Sequence, residues 1–129
     1  MNRSRRCVAQ ALVEFALVTP LVFSLSLGVL QLVLYAHARD VVTSSVQEAA
    51  RLSAEDGRGL EKGYARARVL IGAGLGSSLD PVALSGSMDA DVVRMRVDAS
   101  LRPILPLPAT LRVQAEAWVA RERFRPGGG

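Results

Sequence analysis

The chain has 129 residues, half of them apolar and only 5% aromatic, with a formal charge of +4. That is enough for one small domain plus a membrane segment, and too little for two full domains. The charge excess sits in Arg3, Arg5 and Arg6, so the basic pI is no footprint for nucleic acid, and one cysteine (Cys7) with one histidine (His37) gives neither a disulfide nor a usual zinc ligand set.

The N-terminal stretch runs from a basic head into a long apolar segment. From Phe15 to Ala38 there is no Asp, Glu, Lys or Arg, and the core at 15–35 would be about 31 Å long as a helix, enough to cross a bilayer. Arginines before it, and Asp40 beside Arg39 after it, predict a cytoplasmic N-terminus and an exported body. Pro20 falls inside the expected helix, where it frees the Ala16 carbonyl and bends the axis. Thr19, Ser24, Ser26, Gly28 and Gln31 add small or polar groups that suit helix contacts more than pure lipid exposure.

Two other readings compete for this segment. Ala36, His37 and Ala38 form an A-x-A pattern, so the segment could be an export signal cut after Ala38, or it could be a plain signal anchor. Its apolar run exceeds the ~7–15 residues of a cleavable signal. Cys7 follows "RSRR" rather than an apolar stretch, which disfavours an acylated lipoprotein cysteine.

Glu14 poses the sharpest question, because an acid at the mouth of an apolar run is costly, about 2.5–3.5 kcal/mol at mid-span on insertion scales. A glutamate snorkelling to the headgroups is one answer. Another comes from the surrounding residues: "AQALVEFALVTPL", preceded by arginines, resembles the N-terminus of TadE-like minor pilins, or pseudopilins, of the tight-adherence (Tad) pilus system. The resemblance is close over residues 5–54, including "VTSSVQEAARLSA" at 42–54, and looser beyond.

It implies a leader peptide removed by a prepilin peptidase between Ala9 and Gln10, making Gln10 the new N-terminus and Glu14 the fifth mature residue. The family usually has Gly before the cut where this chain has Ala9, so slower processing is expected. It also implies that Glu14 meets the freed α-amino group of a subunit's N-terminus during assembly, pairing a charge that is otherwise costly in an apolar setting.

Past the membrane segment Val42, Val46, Ala49 and Ala50 form one helical stripe, while Glu48–Arg51 and Arg51–Glu55 have ion-pair spacing. A helix from Gln10 to Ala54 would be about 68 Å long, with Gly57 as its C-terminal cap. A second helix is predicted from Leu60, Tyr64, Ala67, Ile71 and Leu75 on one face. Gly72 and Gly74 after an apolar run imitate a dinucleotide fingerprint, but Ser77 holds the third glycine position and the rest is too short for that fold. Residues 67–78 read as a helix end and loop, and "SSLDPVALSGS" behind them lacks a helix pattern.

Residues 92–101 alternate, with Val93, Met95, Val97, Ala99 and Leu101 on one face and Arg94, Arg96, Asp98 and Ser100 on the other. Residues 111–122 do the same with Leu111, Val113, Ala115, Ala117 and Val119 inward. Two half-buried strands are predicted, joined through "RPILPLPAT", whose prolines exclude regular structure between them. Such a hairpin is marginal alone and should pack on the helix stripes. Trp118 falls on the polar face, either as a contact for another subunit or, as the favoured reading, partly buried against a loop. Arg121, Arg123 and Arg125 before the final "PGGG" read as a solvated end.

No Ser/His/Asp, Cys/His or paired-acid arrangement stands out, so an enzyme is not expected, nor is a cofactor, a metal or a small-molecule substrate. The expected fold is α+β and pilin-like: a long N-terminal membrane-spanning helix, a second short helix and a C-terminal antiparallel β-hairpin. The expected divisions are a basic leader at 1–9, a membrane helix at 10–38, an exported domain at 39–125 and a flexible tail at 126–129. As the resemblance implies, the partners are the prepilin peptidase, other pilins and minor pilins, the inner-membrane assembly platform and membrane lipid. The competing reading is a small exported binding module, released after Ala38 or held by a signal anchor.

Overall fold

The computed structural model describes residues 2–55, 59–103 and 110–121. Helix α1 covers Asn2–Ala54, helix α2 Leu60–Leu75, a 3₁₀ turn Gly76–Ser78, and three strands follow: β1 Leu79–Met88, β2 Val92–Leu101 and β3 Leu111–Ala120. The chain divides into two compact units, Met1–Val33 and Leu34–Gly129. The expected cap at Gly57, the prolines Pro106 and Pro108, and the end with Arg123, Arg125 and 126–129 lie outside the described residues.

In the first unit α1 is apolar on all sides and exposes its large side chains: Phe15, Leu17 and Leu25 each keep 70% of their surface. A helix apolar all round suits lipid rather than water. Its hydroxyls are satisfied within the helix, Thr19 Oγ1 donating to the Phe15 carbonyl at 2.7 Å, Ser24 Oγ to Pro20 at 2.8 Å and Ser26 Oγ to Val22 at 2.8 Å. These side chains therefore need no neighbouring helix for their hydrogen bonds.

The second unit holds the core. Val42, Val46, Ala49 and Ala50 of α1 are wholly buried, as the stripe predicts, Ala38 joins them, and they meet Ala67 and Ile71 of α2 and the inner face of the sheet. Small residues let the two helices approach closely: a Cβ on Gly63 would lie 2.0 Å from Ser53 Oγ and 2.8 Å from the Ala49 carbonyl oxygen. Ser53 is fully buried and its hydroxyl has no hydrogen-bond partner among the described residues. Glu48 reaches Arg66 of α2 at 3.9 Å, a half-exposed pair of little energetic weight. Helix α2 ends at Gly76, whose φ of +53° lies in the left-handed region and whose N–H bonds the Gly72 carbonyl, an end that glycine makes without a Cβ penalty.

The sheet is antiparallel throughout, in the order β1-β2-β3. The expected hairpin is β2–β3, paired without interruption from Val92↔Ala120 to Leu101↔Leu111. Val93, Met95 and Val97 have no exposed surface, and Val113 and Ala117 join them from β3. Residues 79–88, where the sequence predicts no strand, form a third strand. Their composition hides it, because Pro81, Gly86 and two serines dilute the alternation of Val82, Leu84 and Met88. Pro81 is tolerated because β1 is an edge strand whose register shifts between Leu79 and Val82. Gly86 is required by crowding, since a Cβ there would lie 2.9 Å from the Arg94 carbonyl oxygen.

The other sheet face is polar. Arg96 donates to Asp98 at 3.0 and 3.3 Å, and this carboxylate raises the guanidinium above its ordinary value, so it stays charged. Trp118 is 64% exposed, so the expectation of burial against a loop does not hold. Instead the Arg94 guanidinium lies 4.7 Å from its ring centroid and the indole N–H donates to Glu116 at 2.8 Å. A cross-strand cation–π contact covers one face of the ring while leaving most of it in solvent.

Candidate functional site

The residues singled out by the sequence all lie on α1. Ala9, Gln10 and Glu14 are exposed on its first turns, and Pro20 is exposed in its interior. Gln10 and Glu14 are four residues apart, so they share one stripe, and helical side chains lean toward the N-terminus. The Glu14 carboxylate is therefore carried on the same stripe as the residue whose amine a cut after Ala9 would free. Glu14 has Val13 and Phe15 beside it and makes no ion pair or hydrogen bond among the described residues.

At Pro20 the helix loses one backbone donor. The Thr19 hydroxyl bonds the Phe15 carbonyl one turn earlier and Ser24 bonds the Pro20 carbonyl one turn later. Hydroxyl-to-carbonyl bonds of this kind are a usual companion of proline within membrane helices, where freed polar groups cannot turn to water. The stretch from Cys7 onward is long and apolar enough to cross a membrane, with mean hydropathy 2.1 in its most apolar window.

Sequence reading missed two contacts of the body. Tyr35, the last large residue of the uncharged run, donates its hydroxyl to the Arg112 carbonyl at 3.4 Å. Its position at the end of that run was a signal, but nothing in the sequence showed which strand would come beneath it. Trp118 stacks with Arg94 because the β2–β3 register sets them directly opposite, which two separate alternating segments could not reveal. Hollows on the outer sheet face are shallow and lined by mixed polar groups such as Asp98, Ser100, Arg112 and Gln114.

A long apolar helix running into a small body of one further helix and an antiparallel sheet is the architecture of a membrane-anchored, pilin-like protein. Residues 9–51 match the family model described as TadE-like protein, and over this segment the chain is similar to that family. The matched stretch begins at Ala9, contains Gln10, Glu14 and Pro20, and ends within α1. No curated protein and no solved structure matches the chain.

Proposed function

We propose that this chain is a minor pilin or pseudopilin that takes part in assembling a Tad-type pilus or a related secretion machine. The observation that carries the reading is the TadE-like match over 9–51, laid on a single helix that presents Glu14 at the mouth of its apolar run. In this reading residues 1–9 are a leader, 10–38 span the inner membrane with the N-terminus cytoplasmic, 39–125 form the exported domain and 126–129 are a tail. A prepilin peptidase cuts between Ala9 and Gln10. Glu14 then supplies the negative half of a pair with a freed N-terminal amine, on its own or a neighbouring subunit. The function is structural, exercised through other pilins, minor pilins and the inner-membrane assembly platform.

Release after Ala38 is the competing reading, and the length of the uncharged apolar run, beyond the ~7–15 residues of a cleavable signal, weighs against it. The intact mass of the mature chain tests the proposal: loss of residues 1–9 is expected, and loss of 1–38 would overturn it.

A further inference from the structure

The free edge of β3 carries this inference. Just beyond the paired strands, the Arg121 N–H donates to the Asp91 carbonyl at 2.8 Å. In an antiparallel ladder every second residue bonds the same neighbour, so the odd-numbered residues of β3 turn their N–H and C=O groups to β2 and the even-numbered ones turn theirs outward. Tyr35 agrees with this parity, since its hydroxyl donates to the Arg112 carbonyl from outside the sheet ladder. The backbone groups of Gln114, Glu116 and Trp118 face outward with no partner among the described residues.

Folded proteins blunt such edges with proline, bulges or lysine. The opposite edge, β1, is blunted by Pro81 and a register shift. Strand β3 runs ten residues with no proline, glycine or lysine and no register shift. Two side-chain features converge on the same edge. Arg94 covers the Trp118 ring from the β2 side, 4.7 Å from its centroid, so the other face of this exposed ring turns toward the free edge. On the inner face of the sheet Leu111, Ala115 and Val119 are only half-buried, an alternate apolar row left partly uncovered.

We infer that the free edge of β3 pairs with an extended segment of a different protein subunit, which adds a fourth strand to the sheet. An outward row of backbone donors and acceptors is the complement of an extended polypeptide, and strand addition is a recurrent docking mode. The side chains define the segment's chemistry. Alternate apolar residues complete the cover over Leu111, Ala115 and Val119, an intervening residue packs on the free face of Trp118, and a carboxylate meets Arg112, whose guanidinium has no ion pair among the described residues. A second copy fits less well. Pairing β3 with its own copy about a two-fold axis puts the two Arg112 residues, and with them the two Tyr35 residues, at opposite ends of the joined strands, whereas chains anchored in one membrane through the same run carry Tyr35 at one level. The choice of a different subunit rests on the proposed pilin reading.

The test places a photocrosslinking amino acid at Glu116 of the full chain, or at Ser85 on β1 for comparison, in cells making the complete pilus machine. Irradiation should give a polypeptide adduct at 116 several-fold stronger than at 85, and mass spectrometry of the digest should place it in a segment of alternating apolar and polar residues with an acid among them. Gln114→Pro removes an outward N–H without breaking a bond to β2. It should abolish the adduct, and Gln114→Thr should keep it, with both variants melting as wild type does. Arg112→Asp, a change to an exposed side chain, should weaken the adduct several-fold and decides the matter should the proline variant melt early. Adduct yields unmoved by Gln114→Pro and Arg112→Asp overturn the inference, as does an adduct to β3 of a second copy, to lipid or to glycan. Intact mass in the same cells separates the two claims. A chain that has lost residues 1–9 yet gives no excess adduct at 116 overturns this inference alone, and a chain that keeps residues 1–9 overturns the proposed processing whatever the edge shows.

Discussion

Gly63→Ala sets two physical effects against each other, and the structure decides the sign. Helix propensity alone favours the change, since Ala is about 0.8–1.0 kcal/mol better than Gly inside a helix. The packing opposes it. An added Cβ would lie 2.0 Å from Ser53 Oγ, 2.8 Å from the Ala49 carbonyl oxygen and 2.8 Å from Met95 Cε. Met95 Cε is the end of a flexible chain and can give way, and Ser53 can turn to another rotamer, though within a fully buried site. The Ala49 oxygen is backbone of α1 and cannot move without the helix. Overpacking of this kind costs about 1–3 kcal/mol or more, and with rigid backbone in the contact the upper part of that range applies. The net is a destabilisation of about 1–2 kcal/mol, or a fall of roughly 5–15 °C at ~4–8 °C per kcal/mol for a body of this size. Thermal melting of the full chain in detergent, followed by circular dichroism or limited proteolysis, reads it. Adding Ser53→Ala should recover part of the loss. A Gly63→Ala chain that melts at or above wild type would refute the helix–helix packing described here.

Ser53→Ala alone should leave stability unchanged or raise it by up to about 1 kcal/mol, because it removes a buried hydroxyl that has no partner among the described residues; a clear fall in melting temperature would mean that the hydroxyl is bonded. Val97→Asp places a charge at a position with no exposed surface and should cost several kcal/mol, whereas Arg96→Asp on the polar face should stay within about 1 kcal/mol. Comparable protease resistance of these two variants would contradict the β2 register. Ala9→Gly should raise the fraction of chain processed after residue 9 in cells carrying the cognate peptidase, and full-length protein from both forms would contradict the proposed cut.

The parts of the fold that were legible in the sequence are those where one physical signal dominates. The uncharged run at 15–38 and the stripe Val42, Val46, Ala49, Ala50 announce α1, because membrane crossing and core packing each demand an unbroken pattern. The alternation at 92–101 and 111–120 announces β2 and β3, because each has one face on the core and one in water. Strand β1 escaped because an edge strand need satisfy only one neighbour. It can hold Pro81 at a register shift and Gly86 under the Arg94 carbonyl, residues that signal loops elsewhere. Trp118 was misplaced for a related reason: an aromatic on a polar face suggests burial unless the cross-strand partner is known, and Arg94 becomes its partner only through the register. The candidate site was legible at the level of motif. Gln10 and Glu14 stand out against the apolar run, but the partner proposed for Glu14, a freed N-terminal amine, is not legible from one sequence.

Glu14 is therefore where the assembly reading is most directly exposed. Glu14→Gln keeps the size and hydrogen-bonding reach of the side chain and removes its charge, so membrane insertion should be unimpaired. Were the carboxylate only a boundary marker, the amide would serve nearly as well. Where it pairs with a freed N-terminal amine, removing one partner of a buried pair costs about 3–5 kcal/mol, enough to depopulate the assembled state more than a hundredfold. The measurement is crosslinking of this chain to other pilins in membranes, with wild type and Glu14→Gln expressed equally and pilus formation scored in the same cells. Loss of crosslinks and of pili, with insertion intact, is the expected result; equal crosslinking and equal pilus formation would contradict the claim that Glu14 is an assembly contact.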